Sequence, residues 1–298
     1  MSTYYQNYPL ESGLKQLFLN CLGTKDPKNI ELALNIDENI YSRDKVNGNS
    51  FDTKNKFQIY NKRGILEFQN LKNILLRKDF VRIDFSADYE TSGMINIAGS
   101  DSQTVVSDIR SKILVLDLDL NDLRTLLLKH KISICACGSE KKICEQCWVD
   151  LAIPIMNWIE IYFMEKYETK VFVFFSGQKG FHAFVGGPWA SLLSNTDRVF
   201  LLNSIEKFIL QKLVGSKILP KKLAEDKEFL SSYKVFDKDV TTVLNHLIRL
   251  PFTHHPVTFN LTWPISKDVL YKDLFVNIQD FTMEIHGPIL KKRLEMLK

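Results

Sequence analysis

The chain has 298 residues, 45% of them apolar and 25% charged, with a net charge of +4. That length suits one large globular domain, or a domain carrying an insertion. The small excess of positive charge neither demands nor excludes a nucleic-acid partner, because acids gathered at a metal site can mask a basic surface.

No apolar run approaches membrane-spanning length, and Met1-Ser2-Thr3-Tyr4-Tyr5 has no basic region leading into an apolar core. The expectation is a chain that is neither secreted nor held in a membrane. Of the five cysteines, Cys21 stands alone and four fall in one short window. That clustering fits metal binding in a reducing compartment better than a disulfide framework.

In chain order, residues 10–22 read as a short amphipathic helix. Residues 65–77 place Ile65, Phe68, Leu71, Ile74 and Leu75 at helical spacing. A strand is expected over 79–86, where Phe80, Val81, Ile83 and Phe85 surround Arg82 and Asp84. The polar stretch 91–110 predicts a loop or hairpin.

Leu114-Val115-Leu116-Asp117-Leu118-Asp119-Leu120 follows, an apolar run broken by two carboxylates. Alternate residues of a strand share a face, so Asp117 and Asp119 point the same way with Cα atoms roughly 6.5 Å apart. Like charges on a buried strand resist desolvation, and a divalent cation is their natural compensation. The bland alternative is a strand end whose acids face water. A helix start is expected near Asn121.

Cys135-x-Cys137-x6-Cys144-x2-Cys147 supplies four thiolates in one loop, the ligand set of a structural zinc. A long apolar helix over 148–166 comes next, with Pro154 predicting a kink or a later start. Strands are expected over 170–175 and 181–185. Ser176-Gly177-Gln178-Lys179-Gly180-Phe181-His182 lies between them, where glycines let the backbone approach a phosphate and Ser176, Lys179 and His182 add donors. An ordinary glycine hairpin with a solvated lysine is the competing reading.

Helices are expected over 197–232, a strand over 234–237, a helix over 240–250 stopped by Pro251, a strand over 257–263, and an amphipathic helix over 286–298. Asp237-Lys238-Asp239 offers a third acid, or a capping pair for the helix behind it. Arg249 and His255 are placed to meet an anion. Strands and helices mix without strict alternation, which predicts an α+β (mixed α/β) fold. A single domain over 1–298 is expected, with a zinc-binding loop at 132–148 and a helical insertion at 191–232.

Four segments taken in order, LVLDLDL at 114–120, CACGSEKKICEQCW at 135–148, SGQKGFH at 176–182 and DKDVTTVLNHLIRLPFTHHP at 237–256, resemble the catalytic small subunit of archaeal and eukaryotic-type DNA primases. The resemblance implies a core of mixed β-sheets flanked by helices. It also implies template-directed synthesis of RNA primers from ribonucleoside triphosphates (NTPs) on single-stranded DNA.

On this resemblance Asp117, Asp119 and Asp237 hold two Mg²⁺ or Mn²⁺ ions, with Asp239 the local competitor for the third place. Ser176, Lys179, His182, Arg249 and His255 contact the triphosphate, and Arg82 and Asp84 contact phosphate and ribose. Cys135, Cys137, Cys144 and Cys147 bind Zn²⁺. Partners implied are the template, the RNA primer, a large regulatory subunit and the replicative polymerase that extends primers. The compartment implied is the nucleus in a eukaryote and the cytoplasm otherwise.

The sequence departs from the family in places. Gln178 and Lys179 stand where two arginines are frequent, Arg249 stands where lysine is usual, and Gly138 replaces an adjacent cysteine, so that Cys135 must complete the zinc site. Rival readings are a primase-polymerase of the same superfamily using deoxynucleotides, a metal nuclease, and a non-catalytic zinc-bearing subunit. Lys54, Lys56, Lys62 and Arg63 are candidate template contacts.

Overall fold

The computed structural model describes residues 10–25, 30–35, 62–66, 82–90, 109–135, 143–244 and 246–298. Cys137, Val81, Lys54, Lys56, Asn245, most of the expected helix at 65–77 and most of the polar stretch at 91–110 lie outside the described residues.

The fold is α+β, built on two antiparallel sheets. The first takes β1 (Ile30–Asn35), β2 (Lys62–Leu66), β3 (Arg82–Tyr89) and β4 (Ile109–Ser111) in the order β2-β1-β3-β4, and β8 (Ile248–Arg249) joins it along β3. The second takes β5 (Val115–Asp119), β6 (Val171–Phe175) and β7 (Gly180–Val185) in the order β5-β7-β6. Residues 263–265 extend this sheet beyond β6, through Phe175 N–H to Trp263 C=O (3.0 Å) and Ile265 N–H to Val173 C=O (2.8 Å).

Register decides what each face of the second sheet carries. Asp117 lies opposite His182, Asp119 opposite Gly180, and Val115 opposite Phe184, while His182 lies opposite Phe174. Residues directly paired in antiparallel strands share a face. One face therefore carries Asp117, Asp119, His182, Phe184 and Phe174, and the other carries Leu116, Leu118, Phe181 and Val185. The polar-bearing face turns toward the first sheet, since Phe85 of β3 stacks on Phe184 with ring centres 6.4 Å apart. Phe18 of α1 (Leu10–Leu22) packs edge-on against Phe85 at 6.1 Å, extending the apolar contact between the sheets.

Further helices among the described residues include α2 (Leu120–Lys129), α3 (Ile153–Tyr167), α4 (Asn195–Gly215), α5 (Lys238–Thr242) and α6 (Met283–Glu295). Pro154 is accommodated by a route the sequence did not suggest. Glu145–Cys147 begins a helical run, Trp148–Ala152 widens into a π turn in which Ile153 N–H reaches Trp148 C=O, and α3 continues from there. The proline falls where the π turn gives way to the regular helix, a widened turn that accommodates its ring and its missing N–H. By length and composition the run Glu145–Tyr167 could cross a membrane, contrary to the reading of the sequence, yet half of its apolar stretch is buried inside the fold.

Four expected elements differ. Residues 234–237 form a single bridge, Leu118 to Phe236, rather than a strand. The helix expected over 240–250 is α5 alone. Its run Val240-Thr241-Thr242-Val243 is β-branched, and the Thr241 and Thr242 hydroxyls turn back onto the Asp237 and Lys238 carbonyls, both unfavourable to helix. Ile248 and Arg249 are instead taken into the first sheet by pairing with Phe85 and Asp84. Residues 257–263 carry isolated bridges, His254 to Leu261 and Asn260 to Asn277. Ile65 and Leu66, expected to open a helix, close β2.

Candidate active site

The acids sit where strands hand over to helices. Asp119 ends β5 and caps α2, its carboxylate accepting the Asn121 N–H at 2.8 Å. Asp237 caps α5, accepting N–H bonds from Asp239 (2.9 Å) and Val240 (3.4 Å). Its own amide donates to the Asp117 carbonyl oxygen at 2.8 Å, which brings the third acid beside the first two. Asp239, two residues on, is exposed like Asp237, but it is the Asp237 amide that bonds to Asp117. The capping role and the site role of Asp237 are compatible, because capping occupies one carboxylate oxygen.

Crowding of these carboxylates has an electrostatic signature. Burial first, then the charges of Asp237 and Asp119, push the Asp117 carboxyl up to about 7, against a smaller opposing pull from Arg249. His182 Nε2 stands 3.5 Å from the Asp117 carboxylate. Burial and the positive charge of Arg249 bring that imidazole down to about 3, so it is neutral at pH 7 and does not compensate the acid. The ammonium of Lys179 does so for Asp119, at 3.1 Å. An acid cluster so incompletely neutralised is suited to a cation.

The glycine hairpin is fixed from both sides. Gly180 lies opposite Asp119, and a Cβ there would fall 1.8 Å from the Leu118 carbonyl oxygen, so only glycine lets β7 close on β5 beside the acids. Gly177 has φ +87° and its carbonyl accepts from Thr258 Oγ1 (2.7 Å) and Asn260 Nδ2 (3.1 Å). The Ser176 hydroxyl oxygen accepts the Gly180 N–H at 3.1 Å. His255 is buried against the same turn, and its Nδ1 accepts the N–H groups of Val257 (3.1 Å) and Thr258 (3.3 Å). With Nδ1 accepting, a neutral His255 carries its proton on Nε2, the tautomer that donates outward.

Arg249 ties the two sheets together, donating from β8 to the Ser176 carbonyl at 2.9 Å. Its cross-strand neighbour is Asp84, which is fully buried and held by Arg82 through Nε at 2.7 Å and a second guanidinium nitrogen at 2.6 Å. Arg82, Asp84, Ser176, Lys179, His182, Arg249 and His255 are thereby gathered around Asp117, Asp119 and Asp237.

The DNA primase small subunit family model matches residues 116–266, just over half of the chain. The chain belongs to the DNA primase small-subunit family. Primer synthesis by nucleotidyl transfer, with nucleic acid and NTP substrates and a large-subunit partner, is the general character of that family. No curated protein matches the chain.

All four primase-like segments singled out in the sequence fall within the matched stretch or at its edge. The cysteine cluster of this primase chain lies at the start of the run leading into α3. Cys135 Sγ is 2.9 Å from Cys147 Sγ and 3.2 Å from Cys144 Sγ, and Cys144 caps the first turn by accepting the Cys147 N–H. Burial and the two neighbouring sulfurs push the Cys147 thiol upward. A tetrahedral zinc with bonds of about 2.3 Å spaces sulfurs at about 3.8 Å, so a small opening of this cluster would admit one. Cys21 is buried in the core.

Sequence reasoning missed the residues that brace the candidate site. Thr258 and Asn260 hold the hairpin carbonyl, and Lys112, Arg198 and Glu206 hold the segment around Asp237. A polar residue two positions past Pro256 could have flagged Thr258, but nothing local distinguishes these three charged residues from surface residues.

Proposed function

We propose that this chain makes short RNA primers on single-stranded DNA from NTPs, with Asp117, Asp119 and Asp237 holding two divalent cations. The observation that carries the reading is the backbone bond from Asp237 to Asp117, which brings the third acid beside two acids that already contact Lys179 and His182. An all-carboxylate donor set suits Mg²⁺ or Mn²⁺. Burial first, and then the charges of Asp237 and Asp119, keep the Asp117 carboxyl raised, a cost that a bound cation would offset. Ions bound there supply activation of a primer 3′-hydroxyl and neutralisation of the departing pyrophosphate.

The protein's own groups do the positioning. Arg249 and the outward Nε2–H of His255 hold triphosphate oxygens where negative charge grows during transfer. Ser176 keeps its hydroxyl hydrogen for a phosphate, because its oxygen is already used as an acceptor. Lys179 exchanges its Asp119 partner for a phosphate when cations take over the carboxylates. Arg82 orients the buried Asp84 toward the sugar side of the site. Cys135, Cys144 and Cys147, with Cys137 as fourth ligand, hold a structural zinc. The chain works with a large regulatory subunit and hands its primers to a replicative polymerase, in the nucleus of a eukaryote or the cytoplasm of another cell.

Extension of a primer on poly-dT with ATP and Mg²⁺ or Mn²⁺ tests the reading. Asp117→Ala is expected to lose at least about a thousandfold in rate while keeping its fold. A near-normal rate in that variant sinks the assignment. Replacing ATP by dATP separates an RNA-priming enzyme from a deoxynucleotide polymerase.

A further inference from the structure

α5 has no intrinsic reason to exist. It has five residues, three of them β-branched, and a single turn does not offset its own nucleation. Its carbonyls find few partners within the helix. Yet the direction of the Asp237 carboxylate depends on it, since Asp237 caps this turn.

Three charged side chains, Arg198 and Lys112 buried and Glu206 half-buried, meet the backbone on either side of Asp237. Ahead of it, the Glu206 carboxylate on α4 accepts the N–H of Val235 at 3.1 Å and also bonds the amide of Phe236. Behind it, Arg198 on the same helix donates to the Thr241 carbonyl at 3.3 Å. Lys112 donates to the carbonyls of Val240 (3.2 Å) and Val243 (2.6 Å). Glu206 and Arg198 are eight residues apart, about 12 Å along one side of α4, so a single rigid helix grips the segment at both ends. Cations at the C-terminal carbonyls and an anion at the preceding amides also have the favourable sign.

The same network reaches the other acids. Arg198 donates to the Lys112 carbonyl at 2.6 Å and to those of Ala190, Ser191 and Leu193. Lys112 stands three residues ahead of β5, the strand that carries Asp117 and Asp119. Burying these charges is expensive, and apolar residues of similar volume would serve stability as well or better. Burial and the nearby Arg198 pull the Lys112 ammonium down to about 7. Placement of the chain, rather than stability, is what such a network provides.

We propose that Glu206, Arg198 and Lys112 are positioning residues of the nucleotidyl-transfer site, a charged clamp that fixes Asp237 relative to Asp117 and Asp119. This rests on the reading of the three aspartates as cation ligands.

The test uses the full chain and Mn²⁺ alone, with free Mn²⁺ followed by electron paramagnetic resonance and hydrogen–deuterium exchange followed over residues 235–243. Glu206→Leu and Lys112→Met are expected to speed exchange in that segment and weaken Mn²⁺ binding about tenfold or more, the usual effect of losing a residue that orients a ligand. Extension activity should partly return at high Mn²⁺. Glu206→Gln keeps an oxygen for the Val235 N–H and should stay near the parent in both measurements. Tight Mn²⁺ binding in Glu206→Leu or Lys112→Met, or a Gln variant as weak as the Leu variant, overturns the clamp. Should Glu206→Leu fail to fold, Lys112→Met and the Gln comparison decide alone. A parent protein whose Mn²⁺ binding is absent, or is unchanged by Asp117→Asn, overturns the cation reading and the clamp's role in it. Normal binding in the parent with no loss in the clamp variants overturns the clamp only.

Discussion

The amide of Asp237 donates to the carbonyl oxygen of Asp117 at 2.8 Å, so the third acid is registered against the first by main chain alone. The side chains of both residues are left out of that bond. A carboxylate can therefore be neutralised without dissolving the frame that gathers the others.

A stability prediction with a definite sign follows. An unfolded aspartate titrates near 3.9, whereas Asp117 in the folded, metal-free protein is pushed up to about 7, chiefly by burial and then by Asp237 and Asp119. Below pH 4 both states hold the proton and nothing is lost. Between pH 4 and 7 only the unfolded state ionises, so stability falls across that window and levels off above it. The gap sets a ceiling on the order of 4 kcal/mol, reduced because the carboxylate is partly open to water. Without metal, Asp117→Asn should melt higher than the parent at pH 8 and at the same temperature near pH 4. Saturating Mn²⁺ should raise the parent's melting temperature and leave that of the variant nearly unchanged. Identical metal-free melting of the two proteins at pH 8 contradicts this account.

The parts of the site that were legible in the sequence are those encoded locally. Asp117 and Asp119 alternate within one strand, and Gly177 to His182 punctuate the turn between two apolar strands; both patterns survive in the structure because period and turn chemistry are short-range properties. Arg249 was legible as a site residue but not as part of a strand, because its partner Asp84 lies far back in the chain. Glu206 and Arg198 were illegible. In a helix that mixes apolar and polar residues, a half-buried carboxylate that bonds a distant amide has the same local pattern as a solvated one. The π turn ahead of Pro154 likewise required the packing of α3 to be known.

Gly180 is the sharpest steric constraint in the site. Alanine there would place Cβ 1.8 Å from the Leu118 carbonyl oxygen, backbone that no rotamer change can move. Gly180→Ala should force β5 and β7 apart at the Asp119 pair and destabilise by about 2–4 kcal/mol, read by denaturant unfolding. At low temperature, the fraction still folded should extend primers poorly because Asp119 is displaced. A variant of parental stability and rate would mean that the hairpin closes differently.

His255 is expected to separate binding from chemistry. Its Nδ1 accepts from two backbone amides, so a neutral ring presents a triphosphate with its proton on Nε2. Losing one hydrogen bond to a charged group costs about 1.5–3 kcal/mol, so His255→Ala should raise the KM for ATP roughly tenfold or more while kcat changes far less. The fold should also weaken, because the Val257 and Thr258 amides lose their acceptor. A large fall in kcat at unchanged KM would place His255 at the reacting atoms instead.

Zinc should matter to the scaffold rather than to the transfer step. The Cys144 sulfur caps the turn from which the run through Trp148 to α3 begins, and Tyr271 bonds the Ile143 carbonyl beside it. The acids lie on other elements, tied to one another through β5 and the Asp237 amide. Purified protein is expected to carry about one equivalent of zinc, lost in Cys144→Ser and in Cys137→Ser, as a chromogenic indicator after thiol modification would read. Each substitution should lower the melting temperature markedly, since a structural metal contributes to folding directly. Extension per folded molecule, assayed well below that melting temperature, should stay within a few-fold of the parent. Loss of extension in a zinc-free protein that remains folded would show that the loop reaches the substrate; unchanged melting would show that the thiols hold no structural ion.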